Sequence, residues 1–328
     1  MTGRCLPACL AAVLILLIHS SAWGRDSVWQ RAGSPVQSKL DRLLEETEAL
    51  YAIARGARRA KSREGQRLLD MLRGRLSEAG ARKADHPQLN ELLARVEYQL
   101  YELNHDDRLL RLAAAGFARA ASRASGTMAR ASAFNELAVC QARLGAATAE
   151  LTSYDAALRH EPHAETRAIL LANRAEGHMV RGDVRQAIRG YRVSLRDTPA
   201  TARHRLSVTT LWGLAVALDR DGDLDQAFEQ IRLARSYDPQ DAQLQGPHWF
   251  FVPAHDVHWY AALGHWARAR QSKLTADRRK HYRHALEAWD RYIAQAHRKD
   301  RWIGIATERR ARCQREQQHA EQDPKSYR

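Results

Sequence analysis

The chain carries at residues 131–163 the stretch ASAFNELAVCQARLGAATAELTSYDAALRHEPH, which is the first of three stretches with one pattern. The second, AILLANRAEGHMVRGDVRQAIRGYRVSLRDTPA, occupies 168–200, and the third, SVTTLWGLAVALDRDGDLDQAFEQIRLARSYDP, occupies 207–239. Each copy places a small residue in its first half, a glycine at its centre and a proline at its end. The matching residues are Ala138, Ala175 and Ala215, then Gly145, Gly182 and Gly222, then Pro162, Pro199 and Pro239. The spacing predicts two helices and a turn in every copy.

These repeated small, glycine and proline positions resemble the tetratricopeptide repeat (TPR) family, whose repeats are helix pairs. The resemblance implies an all-α, right-handed α-solenoid of antiparallel helix pairs, with about five to six repeats. Two departures stand out. Glu150 occupies a position where the family usually has a small residue, and the closing prolines are 37 and 40 residues apart instead of about 34.

The flanking sequence extends the helix-pair pattern less regularly, and it predicts seven segments. They are a signal peptide at 1–24, a linker at 25–37, degenerate N-terminal repeats at 38–127, three clear repeats at 128–239, an aromatic and proline-rich loop at 240–253, a repeat-like pair with a capping helix at 254–319, and a disordered tail at 320–328.

The first 24 residues, MTGRCLPACLAAVLILLIHSSAWG, have a basic start, a short apolar run and a small-x-small site before Arg25. This order is typical of a cleaved secretory signal, because the apolar run is short for a membrane span. We therefore expect export to a bacterial periplasm or cell envelope, or full secretion. Cleavage would leave Cys140 and Cys313, which we expect to be buried or free thiols.

The 328-residue chain has a formal net charge of +14, mostly from arginine. A field of this sign favours anionic partners such as phospholipid head groups or acidic polymers. The arginines are scattered along every predicted helix, which is also what solvated helix faces require. A cationic surface that binds anionic lipid or polysaccharide therefore stays open as an alternative function.

The family resemblance implies a protein partner, because the first helices of successive repeats form a concave groove for a peptide segment or helix. Carried over by position, the groove residues are Asn135, Glu136, Val139 and Arg143 in the first copy, Asn173, Glu176 and Met179 in the second, and Trp212, Val216 and Arg220 in the third. The asparagine amides could bind the backbone of the segment, and Trp212 could anchor it. One TPR subtype clamps a C-terminal carboxylate, but only Asn173 matches that clamp and its lysine is absent.

Two metal patterns are alternatives to the groove. His255, His258 and His265 fall on about one face of a predicted helix, and imidazoles so placed could bind zinc or copper. Asp256 or His248 could supply a further ligand. The aspartates at 219–225 alternate as in a calcium loop, but Gly222 comes too early and the twelfth residue is Gln230. An inter-helix turn with Asp223 as the next helix cap explains them equally.

The sequence has no GxSxG elbow, GxxxxGK loop or dinucleotide fingerprint. We therefore expect a non-catalytic protein without a cofactor, and no nucleic-acid partner. An enzyme whose catalytic residues meet only in the folded chain remains a further alternative.

Overall fold

The computed structural model describes residues 35–59, 63–83, 86–245, 251–296 and 300–322. The predicted signal peptide, most of the predicted linker and residues 323–328 lie outside these ranges. So do His248 and two residues of the aromatic loop, Trp249 and Phe250. Within the described ranges, no helix combines the length and the apolar character that crossing a membrane requires.

The described ranges contain thirteen α-helices, which we number in chain order. They are α1 (Pro35–Arg59), α2 (Arg63–Glu78), α3 (Pro87–Asn104), α4 (Asp107–Arg123), α5 (Thr127–Arg143), α6 (Ala147–His160), α7 (Ala164–Arg181), α8 (Val184–Asp197), α9 (Arg203–Arg220), α10 (Leu224–Tyr237), α11 (Asp256–Gln271), α12 (Thr275–Gln295) and α13 (Ile303–Gln322). Short 3-10 turns occupy Ala200–Ala202 and Ala242–Gln245. The described chain has no strand, and the all-α prediction is confirmed.

The chain divides into two compact units between Ala49 and Leu50, within α1. In the N-terminal unit, the Thr47 hydroxyl donates to the backbone oxygen of Leu43, one turn earlier on α1 (2.6 Å). In the C-terminal unit, α3 to α12 form five helix pairs, each packed along its length. Successive pairs pack on one another from α4 through α9, as in a solenoid, and α13 packs on α12.

The three clear repeats share the same turn between their helices. Gly145, Gly182 and Gly222 all have a positive φ, at 71°, 86° and 101°. In the second copy, the Gly182 amide donates to the backbone oxygen of Met179 (2.9 Å), and the Asp183 amide donates to the backbone oxygen of His178 (2.9 Å). Glycine adopts this backbone conformation at no steric cost, so the repeated glycine ends each first helix at the same point.

Small residues allow the helices of a pair to cross closely. A Cβ atom at Gly116 of α4 would lie 2.7 Å from the Cβ of Ala94 on α3. The same substitution at Gly190 of α8 would lie 2.9 Å from the Cβ of Ala175 on α7. Both distances are shorter than the van der Waals contact of two carbon atoms. A larger residue at either glycine would therefore push the two helices of the pair apart.

Two helices extend a few residues past the predicted segment boundaries. Helix α1 begins at Pro35, although the linker was predicted to extend to 37, because proline has a φ suited to the first helical position. Helix α13 ends at Gln322, so 320–322 belong to a helix and not to a disordered tail. Ala320 is buried there, which stabilises the last turn.

A buried polar network joins the third clear repeat to the C-terminal helices. The carboxylate of Asp219 on α9 accepts hydrogen bonds from Arg309 of α13 (2.6 Å) and Trp259 of α11 (2.9 Å). The next residue, Arg220, binds Asp256 at the start of α11 (2.8 Å). All five side chains are buried, so α9 is held to two helices that follow it by more than 30 residues.

The aspartate-rich turn is explained by this network and by helix capping. Asp219 is inside the protein, Gly222 makes the turn, and Asp223 caps α10 by accepting a hydrogen bond from the Gln226 amide (3.0 Å). The prediction of an inter-helix turn is confirmed. Cys140 and Cys313 are both buried free thiols, as expected.

We predict that Arg309→Met destabilises the protein strongly. The substitution leaves the Asp219 carboxylate buried without its charged partner, and breaking a buried pair in this way costs about 3–5 kcal/mol. Urea denaturation at pH 7 measures this loss in the free energy of unfolding.

The double variant Asp219→Asn/Arg309→Met should recover part of the loss, since it removes the isolated charge. Arg232→Met is the matched control, because Arg232 pairs with Glu229 at the surface (2.8 Å) and such pairs contribute about 0–1 kcal/mol. If Arg309→Met costs no more than Arg232→Met, the buried pair does not have the role described here.

Candidate functional site

The first helices of four successive pairs, α3, α5, α7 and α9, line a surface groove. The groove contains a cavity of about 570 Å³. The first helices contribute Arg95, Tyr98, Gln99 and Glu102, then Asn135, Glu136, Val139, Ala142 and Arg143, then Ala172, Asn173, Glu176 and Val180, and finally Thr209 and Thr210. The second helices contribute Phe117, Glu150, Tyr154 and Tyr191, and Tyr51, Arg55 and Val252 also line the cavity.

Six of the ten groove residues predicted from the sequence line this cavity. They are Asn135, Glu136, Val139, Arg143, Asn173 and Glu176. All six come from α5 and α7, the first helices of the first two clear repeats. The structure therefore brings the predicted residues of these two copies together, although their role in binding stays a prediction.

The other four predicted groove residues are inside the protein, and this part of the prediction is wrong. Met179, Trp212, Val216 and Arg220 are all at most 4% exposed. Trp212 packs near Tyr260 of α11, with 6.4 Å between the ring centroids. The C-terminal helices cover the face of α9 that corresponds in position to the groove faces of α5 and α7. This face of α9 is therefore part of the core.

The groove presents buried polar atoms that lack a partner in the described part of the chain. The side-chain oxygens of Asn135 and Gln99 are buried and accept no hydrogen bond from any described residue. A buried acceptor without a donor is costly, about 1–3 kcal/mol each, and few occur in folded proteins. Rotation of these side chains toward the cavity that they line would let both atoms accept hydrogen bonds from the backbone of a bound segment.

Carboxyl groups at the groove floor are held close to neutrality. Burial, followed by the nearby charge of Glu176, raises the pKa of Glu150 to about 8. Burial also raises the pKa of Glu176 to about 7, although a hydrogen bond from the Tyr191 hydroxyl acts in the opposite direction. Burial raises the pKa of Glu136 as well. At neutral pH the floor therefore carries less negative charge than its composition indicates.

Arginine and tyrosine form one wall of the groove. Arg143 binds Glu102 (3.0 Å), and its guanidinium lies 5.4 Å from the centre of the Tyr98 ring. Ion pairing and ring contact hold Arg143 in a fixed orientation. The wall therefore offers an ordered cation beside an aromatic face.

The structure does not assemble the predicted histidine set. His255 binds Asp300 (2.9 Å) and packs on Tyr292, while the possible fourth donor Asp256 is paired with Arg220. His265 groups instead with two histidines of the next helix, His281 and His284. His255 precedes the first residue of α11 and binds Asp300, and among the described residues the three candidate histidines do not form a ligand group.

Sequence reasoning missed His281 and His284. Their spacing of three residues, in HYRH on α12, was a signal that two imidazoles share a helix face. Their proximity to His265 depends on how α11 and α12 pack. Burial, together with the charges of His284 and His281, lowers the pKa of His265 to about 4.

Comparisons with known proteins give information about the fold of the chain and not about its function. No protein-family model matches the chain, and no curated protein matches it. Among solved structures, the chain is similar to the C-terminal part of a TPR repeat-containing protein from Cytophaga hutchinsonii, with 13% identity and a TM-score of 0.49 over 76% of this chain and 84% of that one. It is also similar to the TPR domain of P58(IPK), with 15% identity and a TM-score of 0.33 over 84% of this chain and 67% of that one.

These identities and scores say nothing about a partner or an activity. The resemblance to TPR proteins is confirmed for the fold, because the chain itself repeats helix pairs with the same glycine turn and close crossing. The chain is thus a TPR-like α-helical repeat protein.

We predict that Glu150→Gln reduces the pH dependence of stability. Because the folded-state pKa is raised from 4.5 to about 8, the protonated carboxyl contributes stability that is complete below about pH 4.5 and lost as the pH rises through 8. The variant side chain cannot ionise. Between pH 5 and pH 9 the free energy of unfolding of the wild type should therefore fall by about 1 kcal/mol or more relative to that of the variant. Thermal denaturation across this range measures the difference.

Glu229→Gln, at an exposed carboxylate, is the matched control and should follow the wild-type profile. Parallel profiles for the wild type and Glu150→Gln would show that Glu150 is ionised in the folded protein.

Proposed function

We propose that the chain is a non-catalytic binding module that holds an extended segment of a partner protein in the groove. The observation that carries this proposal is the cavity of about 570 Å³ that four successive first helices line, with the unpaired acceptors of Asn135 and Gln99 inside it. A helical repeat protein that exposes such a surface is suited to peptide capture.

The chemistry of the groove favours a segment bound through its backbone. Amide oxygens at Asn135 and Gln99 accept hydrogen bonds from peptide N–H groups, which every sequence offers. Tyr98 and Arg143 supply a flat apolar face and a fixed cation for side chains of the segment. At neutral pH most of Glu150 and about half of Glu176 is protonated, so the floor repels an acidic segment less than two full carboxylate charges would.

The groove can be tested with a random peptide library displayed on phage and selected on the chain from Arg25. We expect selected peptides to lose about 10-fold in affinity for Asn135→Ala/Asn173→Ala, since each lost hydrogen bond contributes about 0.5–1.5 kcal/mol. Isothermal titration calorimetry measures the affinity, and circular dichroism checks that the variant is folded.

Asn104→Ala is the matched control, because Asn104 is an exposed amide outside the groove. Equal affinity of the wild type and the double variant would place binding elsewhere. If the chain instead binds vesicles of anionic phospholipid, equally in both variants and only at low salt, the cationic-surface alternative is favoured.

We propose further that the protein is exported to the cell envelope. The support is the order of basic, apolar and small residues in 1–24, and the groove requires only a partner in the same compartment. We predict that the protein isolated from its source cells begins at Arg25, as N-terminal sequencing would read. A chain that begins at Met1 in the cytoplasmic fraction would contradict export.

A further inference from the structure

We propose that His265, His281 and His284 form a binding site for a divalent transition-metal ion such as Zn²⁺. His265 lies on α11, and His281 and His284 lie one turn apart on α12. One ring nitrogen from each histidine can be chosen so that all three lie within 4.8 Å of one another. Neutral imidazole is a preferred ligand of zinc, copper and nickel ions.

The distances between the nitrogens approach those of a metal site. With zinc–nitrogen bonds of about 2.0–2.1 Å, tetrahedral ligands lie about 3.3–3.4 Å apart. The Nδ1 atoms of His265 and His281 are 3.3 Å apart. The His265 and His284 ring centroids are 5.0 Å apart, at an interplanar angle of 74°. Small side-chain rotations would therefore bring the third nitrogen to the same point.

The backbone positions of the three histidines are fixed by the core. Each histidine precedes a fully buried residue, since Trp266 follows His265, Tyr282 follows His281 and Ala285 follows His284. These neighbours anchor α11 against α12. Ligands on packed helices are held in place before the ion arrives, which reduces the entropy lost on binding.

The surroundings allow access and limit repulsion. His265 and His281 line a second cavity of about 270 Å³, open to solvent. Two nearby arginines, Arg235 and Arg268, are both bound to Asp241 (2.9 Å and 2.9 Å), which offsets part of their positive charge. The three histidines are each half-buried, so an ion there would be partly shielded from water.

Such a site would join the two helices of the last pair and would leave one tetrahedral position for water or an anionic group. It uses none of the groove residues, so it stands or fails independently of the proposed function. Metal binding would stabilise the folded chain, because the three ligands come together only when α11 and α12 are packed.

Calorimetric titration of Zn²⁺ into the full chain tests the proposal. The protein is prepared without a polyhistidine tag, treated with a chelator and exchanged into metal-free buffer at pH 7.5. We expect one Zn²⁺ per chain, with affinity at least about 10-fold lower in both His281→Ala and His284→Ala. Zn²⁺ should also raise the melting temperature of the wild type, and that rise should be absent in the variants.

His258→Ala is the matched control, because His258 is a partly buried histidine of α11 outside the cluster. It should bind Zn²⁺ as the wild type does. If an alanine variant is not helical by circular dichroism, His281→Gln and His284→Gln keep the side-chain size and take its place. Absence of stoichiometric binding by the wild type, or equal losses in His258→Ala, would overturn the proposal.

Discussion

The close crossing of paired helices, seen in the α3–α4 and α7–α8 pairs, is the constraint on which the rest of this structure depends. Where Gly116 meets Ala94, and where Gly190 meets Ala175, there is no room for one more carbon atom. Close crossing lets each pair present a flat side to the next, so the first helices lie side by side. The groove exists because of this stacking, since most of its lining comes from the first helices of four successive pairs.

The stacking of helix pairs does not by itself determine where the groove ends. At α9 the pattern of the repeats continues, but Asp219 and Arg220 bind partners on α13 and α11. Buried ion pairs give less stability than their geometry suggests, because both charges lose water. Their directional bonds nevertheless select one placement of the C-terminal helices. The consequence is that Trp212 and Val216 belong to the core, and α9 contributes only Thr209 and Thr210 to the groove lining.

The two candidate sites have different physical origins. The groove gathers polar atoms from many repeats, and its floor of Glu150, Glu176 and Tyr191 is kept near neutral by burial. The histidine cluster instead occupies a single helix pair and consists of chemically identical ligands. Occupation of one therefore does not require a change in the other.

The sequence by itself determined the helices and the turns at Gly145, Gly182 and Gly222, because these follow from periodicity within one repeat. The resemblance to the TPR family, and not periodicity, pointed to the six residues of α5 and α7 that line the cavity. Glu150 was recognised as unusual, but its protonation depends on neighbours from another helix. Only the tertiary structure decided that Trp212 and Arg220 are buried and that His265 meets His281 and His284. The physical reason is that the exposure of a side chain and its distance from others depend on which distant helix packs over it. The spacing of residues along the chain does not determine that packing.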